Sequence, residues 1–142
     1  MGPRRLGALC AAAILAAACS SAGGGASPTP SGSIDATLAD WSITLSPPLG
    51  KAGTVTFTIK NAGANKHEFV VFKTDLAADK LPVANDEVQE DQLTKVDEKE
   101  DIESGSTATL TIDNLQPGHY VIICNIAGHY EKGMHTDFTV SG

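Results

Sequence analysis

Cysteine, methionine and aromatic rings are all scarce in this chain of 142 residues, and each scarcity narrows what it can be. There are three Cys, two Met, and seven aromatics: four Phe, two Tyr and one Trp. Cys10 and Cys19 lie near the N-terminus, so Cys124 stands alone in the body of the chain, which excludes a disulfide framework. The apolar run over residues 6–18 has thirteen members, too few for a bilayer span of about 20. Basic residues are also few: ten Lys and Arg against seventeen Asp and Glu. What remains in quantity is Val, Ile, Leu and Phe in short alternating runs, which makes the body globular rather than disordered.

The N-terminus combines Arg4-Arg5 with that short apolar run and small residues at its end, the pattern of a secretory signal over residues 1–18. Leu15-Ala16-Ala17-Ala18-Cys19 resembles a bacterial lipobox, with its leucine one place further upstream than usual. Lipidation at Cys19 would anchor an extracytoplasmic protein to a membrane; ordinary cleavage after Ala18 would release a soluble one. Residues 19–33 are rich in Gly, Ser and Pro and read as a flexible tether with a reach of roughly 20 Å. Residues 34–142 form the expected single domain. Loss of both arginines with the signal leaves eight lysines against seventeen acids, a net charge of −9. Nucleic acid and anionic membrane surfaces are therefore poor partners, and a basic partner suits better.

Within the domain, apolar residues recur with period two. Trp41, Ile43 and Leu45 share one face, as do Val55, Phe57 and Ile59, then His67, Phe69 and Val71, then Ala108, Leu110 and Ile112. Residues 120–124 are almost wholly apolar, as a strand covered on both faces should be. Short strands rich in β-branched residues, separated by Pro and Gly breaks, predict an all-β sandwich. Residues 75–103 depart from this pattern, carrying eleven acids and three lysines. They read as a solvated, partly helical insertion with short helices over residues 76–81 and 87–96. As an alternative they offer a docking surface for a basic partner.

An unpaired thiol in an exported domain invites oxidation, so Cys124 needs a reason to be there. Burial is one reason and metal ligation another. Its neighbourhood reads Cys124, His129, Met134 with four residues in each gap. Thiolate and imidazole suit copper in both oxidation states, and a weak axial thioether tunes its potential. A second imidazole is required, and His67 supplies it: it opens a strand and shares parity with Phe69 and Val71. Zinc would accept one Cys and two His, but Met is not among its usual ligands. A Cys–His hydrolase would need an orienting residue and an oxyanion donor, and neither is apparent.

The run Leu115-Gln116-Pro117-Gly118-His119-Tyr120, followed by Cys124, His129 and Met134, resembles the cupredoxin family of blue-copper proteins. The resemblance covers residues 34–142. It implies a Greek-key β-sandwich holding one mononuclear type 1 copper ion through His67, Cys124, His129 and Met134. It implies a monomer that is not an enzyme and that shuttles single electrons between a redox donor and acceptor. His129 would be the electron port, within an apolar patch of Ile126, Ala127 and Tyr130. The competing role is copper storage or delivery. Two departures stand out: Glu68 replaces the Asn that often follows the first ligand, and His135 adjoins Met134 as a rival axial donor. His119 is expected at the surface and Tyr120 in the core.

Overall fold

The computed structural model describes Gly2 and residues 27–142. The export signal (Gly2 apart) and the lipid site at Cys19 fall outside the described residues. Among these residues no helix is long and apolar enough to cross a membrane.

The alternating runs become strands. In chain order these are β1 Ser33–Ala39, β2 Ser42–Ser46, β3 Leu49–Lys51, β4 Gly53–Asn61, β5 His67–Lys73, β6 Val83–Ala84, β7 Glu87–Val88, β8 Thr94–Ile102, β9 Thr107–Leu115, β10 Gly118–Ile123 and β11 His135–Ser141. One sheet has the order β2-β1-β4-β9, and the other β3-β11-β10-β5-β8. Chain connections β2–β3, β3–β4, β4–β5, β8–β9 and β9–β10 pass between the two sheets, giving the expected cupredoxin-like Greek-key sandwich. Pairing starts slightly before the expected domain boundary, because Ser31 bridges Gly50 and its carbonyl accepts from Lys51.

Period-two patterning places one residue in two between the sheets. Ile34, Ala36, Leu38, Val55, Phe57, Ile59, Leu110 and Ile112 face inward from the first sheet. Phe69, Val71, Tyr120, Ile122, Phe138 and Val140 meet them from the second. Phe57 joins the layers, its ring centroid 5.1 Å from Phe69 and 5.4 Å from Phe138. Full burial of such a ring contributes about 2–3 kcal/mol. Tyr120 is buried as expected, and its hydroxyl donates to the Gln116 carbonyl at 2.7 Å, pinning the turn before β10.

The acidic segment differs from its sequence reading. Its helix is limited to two 3₁₀ turns, Ala78–Lys80 and Glu90–Gln92. Where a helix was expected over residues 87–96, the chain instead makes β7, a turn and the start of β8. Nor is the segment merely solvated. Three of its apolar side chains, Ala78, Leu81 and Val88, cover Val70, Phe72, Val121 and Ile123 on the outer face of β5 and β10. That cover explains why residues 120–124 do not alternate. The charges have a structural use as well: β8 is an edge strand, and a charged edge resists pairing with other chains.

Trp41 also departs from expectation. It lies in the turn between β1 and β2 rather than in β2 itself, and is only half-buried where it packs against the core that holds Ile43 and Leu45.

Candidate metal centre

Two adjacent strands, β5 and β10, carry the ends of the site. β5 begins at His67, and Cys124 follows directly on the last residue of β10. The register Ile123↔Val70 and Ile122↔Val71 brings these ends to the same edge of the sandwich, although 57 residues separate them in the chain. The loop from Cys124 to β11 is closed at its neck by the Cys124 N–H donating to the Met134 carbonyl at 3.1 Å. Inside it, the His129 N–H donates to Ile126 at 2.8 Å and the Met134 N–H to His129 at 3.2 Å. Gly128 takes a positive φ of 76° at the turn before His129, a conformation glycine adopts without steric cost.

The three polar side chains converge. His67 Nδ1 lies 3.3 Å from His129 Nδ1 and 3.8 Å from Cys124 Sγ, and His129 Nδ1 lies 3.4 Å from the same sulfur. All three residues are buried. A point equidistant from three atoms so spaced lies about 2 Å from each, a metal–imidazole bond length and slightly short of a metal–thiolate one. Met134 is fully buried in the same core cluster as Cys124. One sulfur, two imidazoles and a neighbouring thioether are the donor set of a type 1 copper centre, so the residues fit the metal that the sequence implies.

The Sulfocyanin (SoxE) domain profile matches residues 42–142. The chain belongs to the sulfocyanin family. No curated protein sequence matches it. Among solved structures, auracyanin from Roseiflexus castenholzii aligns at 22% identity and TM-score 0.61, covering 80% of this chain and 100% of that one. Rusticyanin from Thiobacillus ferrooxidans aligns at 20% identity and TM-score 0.55, covering 77% and 76%. An azurin from Methylomonas sp. strain J aligns at 15% identity and TM-score 0.54, covering 78% and 98%. At such identities these likenesses establish the shared cupredoxin fold.

In this sulfocyanin-family chain the surroundings of the three donors are as specific as the donors. Burial pushes the Cys124 thiol up, and the Glu68 backbone N–H, 3.2 Å from Sγ, opposes the shift by favouring the thiolate. The His129 imidazole is pushed down, first by burial and then by its neighbours His67 and Lys132. This downward shift favours the neutral imidazole of His129, the form that binds a metal. Trp41 stands edge-on to both imidazoles, 4.8 Å from His129 and 6.3 Å from His67 between ring centroids. The Lys132 ammonium lies over the Trp41 ring, 4.1 Å from its centroid.

His67 is tied down from behind. Its Nε2 meets Asp40 Oδ1 at 2.8 Å, and Asp40 Oδ2 accepts from the Ala64 N–H at 2.9 Å and Asn65 Nδ2 at 3.1 Å. The Asp40 carboxyl is held below its usual range, chiefly by the Ala64 N–H; desolvation opposes this, and His67 and Asn65 add smaller lowering effects. Neither Asp40 nor Trp41 was singled out in the sequence as part of the site. No short-range motif marks them, since Asp40 lies 27 residues from the histidine it touches.

The departures noted in the sequence resolve differently. Glu68 reaches Cys124 through its backbone N–H. Its carboxyl instead faces a cleft of about 350 Å³ lined by Glu87, Glu90, Glu98 and Glu100. Burial, then Glu100 and the other acids, raise the Glu68 carboxyl. Lys95 bridges Glu90 at 2.9 Å and Glu98 at 2.8 Å beside it. Asn125 bonds the Val88 N–H and carbonyl, fastening the loop after Cys124 to the acidic segment. His135 points away from the three donors and lies against Tyr130, ring centroids 5.0 Å apart. Tyr130 does not belong to an exposed apolar patch, because its ring is buried and its hydroxyl bonds Ala78 and Leu81. His119 is half-buried, with Nδ1 on the Thr74 carbonyl and Nε2 on Asp137.

Proposed function

We propose that this protein is a type 1 copper electron carrier, with His67, Cys124 and His129 as equatorial ligands and Met134 as the axial one. The observation that carries the reading is the convergence of two Nδ1 atoms and one Sγ within 3.8 Å of one another, all buried. Bound copper supplies a one-electron couple between Cu(I) and Cu(II). The chain's part is to hold its donors still while the charge changes. His67 is anchored by its strand and by Asp40, Cys124 by β10 and the Glu68 N–H, and His129 and Met134 by the hydrogen bonds of their loop. Donors fixed this way move little between oxidation states, which keeps the barrier to transfer low. Burial also keeps water from the thiolate and slows release of the ion, which favours electron transfer over copper delivery.

His129, at 9% exposure the least buried of the three, is the port in this reading. Exposed Ala127 and half-buried Ile126 beside it supply an apolar contact surface. The acidic face around Glu87, Glu90, Glu98 and Glu100 suits a redox partner with a basic surface. The signal-like pattern of residues 1–18 and Cys19 support an extracytoplasmic, lipid-anchored protein.

Addition of Cu(II) to the metal-free protein tests the core of this proposal. An intense visible thiolate-to-copper band, lost in Cys124→Ser and bleached reversibly by a one-electron reductant, is the expected result. A colourless complex that surrenders copper readily to a chelator would move the assignment to copper delivery.

A further inference from the structure

The acid closest to the site lies outside the ligand set. We infer that Asp40 is a positioning residue of the metal centre, fixing the tautomer of His67 and lowering the reduction potential through it. The inference rests on the copper reading above. An ionised carboxylate can only accept hydrogen bonds, so the 2.8 Å contact requires the proton of His67 to sit on Nε2. Nδ1 is then left with its lone pair aimed at His129 Nδ1 and Cys124 Sγ.

The arrangement is built rather than incidental. His67 is fully buried, so its Nε2–H has no water to turn to. Both Asp40 oxygens are engaged, one by His67 and the other by Ala64 and Asn65, two residues of the loop that leads into His67. The same loop has glycine where the two partners meet. A Cβ on Gly63 would collide with Asp40 Oδ1 and come within 2.9 Å of His67 Nε2. Space has been kept clear for this one contact.

The chemical consequence follows from charge. A carboxylate on Nε2–H pushes electron density through the ring and makes Nδ1 a stronger donor than a neutral acceptor would. A more negative donor stabilises the more positive ion, so Asp40 favours Cu(II) over Cu(I). Removing the charge should raise the potential while leaving the thiolate and its colour in place.

The test compares wild type, Asp40→Asn, Asp40→Glu and Asn65→Ala. Asn65→Ala loosens the Oδ2 side of Asp40 without touching His67, and so controls for simple loosening of the loop. In copper-loaded protein, Asp40→Asn should retain the visible band and shift the ratio of Cu(I) to Cu(II) affinity about tenfold toward Cu(I), a rise of about 59 mV for one electron. Asn65→Ala should stay near wild type, and Asp40→Glu should recover part of the shift. In metal-free protein at one pH, long-range ¹H–¹⁵N spectra should show His67 protonated on Nε2 in wild type and of mixed tautomer in Asp40→Asn. A potential for Asp40→Asn no different from that of Asn65→Ala, or an unchanged His67 tautomer, would overturn the role. If wild type takes up copper without a thiolate band, the copper reading fails, yet the metal-free spectra still decide whether Asp40 sets the tautomer. Should Asp40→Asn refuse copper or fold poorly, Asp40→Glu supplies the comparison: restored uptake and tautomer support the role, and failure of both overturns it.

Discussion

Asn61 is the buried side chain on which the loop before His67 depends, and its removal can be costed from its bonds. It is fully buried at the end of β4. Its Nδ2 donates to the Ile102 carbonyl and to the Asn65 carbonyl, each at 2.8 Å, and its Oδ1 accepts the Gly63 N–H at 2.9 Å. In Asn61→Ala the Ile102 carbonyl loses its buried partner, at about 1–3 kcal/mol. The Asn65 and Gly63 groups are nearer water and should cost about 0.5–1 kcal/mol each. The sum is about 3 kcal/mol, or a fall of about 12 °C in melting temperature for a domain of this size. Asn61→Asp should be worse than alanine, because it sets a carboxylate against two carbonyl oxygens in a buried position. Urea unfolding of the metal-free protein measures both, followed by far-ultraviolet dichroism and by the fluorescence of Trp41, the only tryptophan. The same loop supplies the Ala64 and Asn65 donors to Asp40, so copper affinity should fall together with stability. An alanine variant within 1 kcal/mol of wild type, or an aspartate variant as stable as the alanine one, would refute the reasoning.

Tyr130→Phe removes a hydroxyl that donates to Ala78 at 2.7 Å and accepts from Leu81 at 3.0 Å. It should cost about 2 kcal/mol in urea unfolding while the visible band stays unchanged, because the ring packs on the outer face of the second sheet. Copper should stabilise the fold by mass action, adding about 2.7 kcal/mol at a free concentration one hundred times the dissociation constant. Calorimetry should show that gain vanish in His67→Ala. Ala127→Lys places a charge on an exposed residue beside His129 and should slow electron exchange with a basic partner several-fold in stopped-flow mixing, leaving the spectrum as in wild type. Equal rates would exclude this face as the port.

Much of the sandwich is legible along the chain because a strand's faces alternate with a period of two. Val55, Phe57 and Ile59 need no distant information to be placed on one face, and all three are fully buried. Parity also turned His67 inward with Phe69 and Val71, and the spacing of Cys124, His129 and Met134 marked one loop. Parity failed where a turn interrupts it. Trp41 has the right spacing to join Ile43 and Leu45 and does pack against their core, yet it lies in a turn, half-buried, where its ring also meets the metal centre, a contact that parity does not indicate. It failed again in the acidic segment, where charge outweighs the few apolar residues in any window. Leu81 and Val88 are buried because the uncovered faces of Val70 and Phe72 lie opposite them, not because of their neighbours in sequence.

The chemical types of the donors, their order and the face each strand turns inward were determined by the sequence itself, since residue identity and local backbone geometry suffice for them. The distances between donors, the carboxylate behind His67 and the N–H on the sulfur were decided only by tertiary structure. Those contacts join residues 27, 56 and 62 positions apart. Strand order and register set such separations, and these are settled by the packing of the whole domain at once.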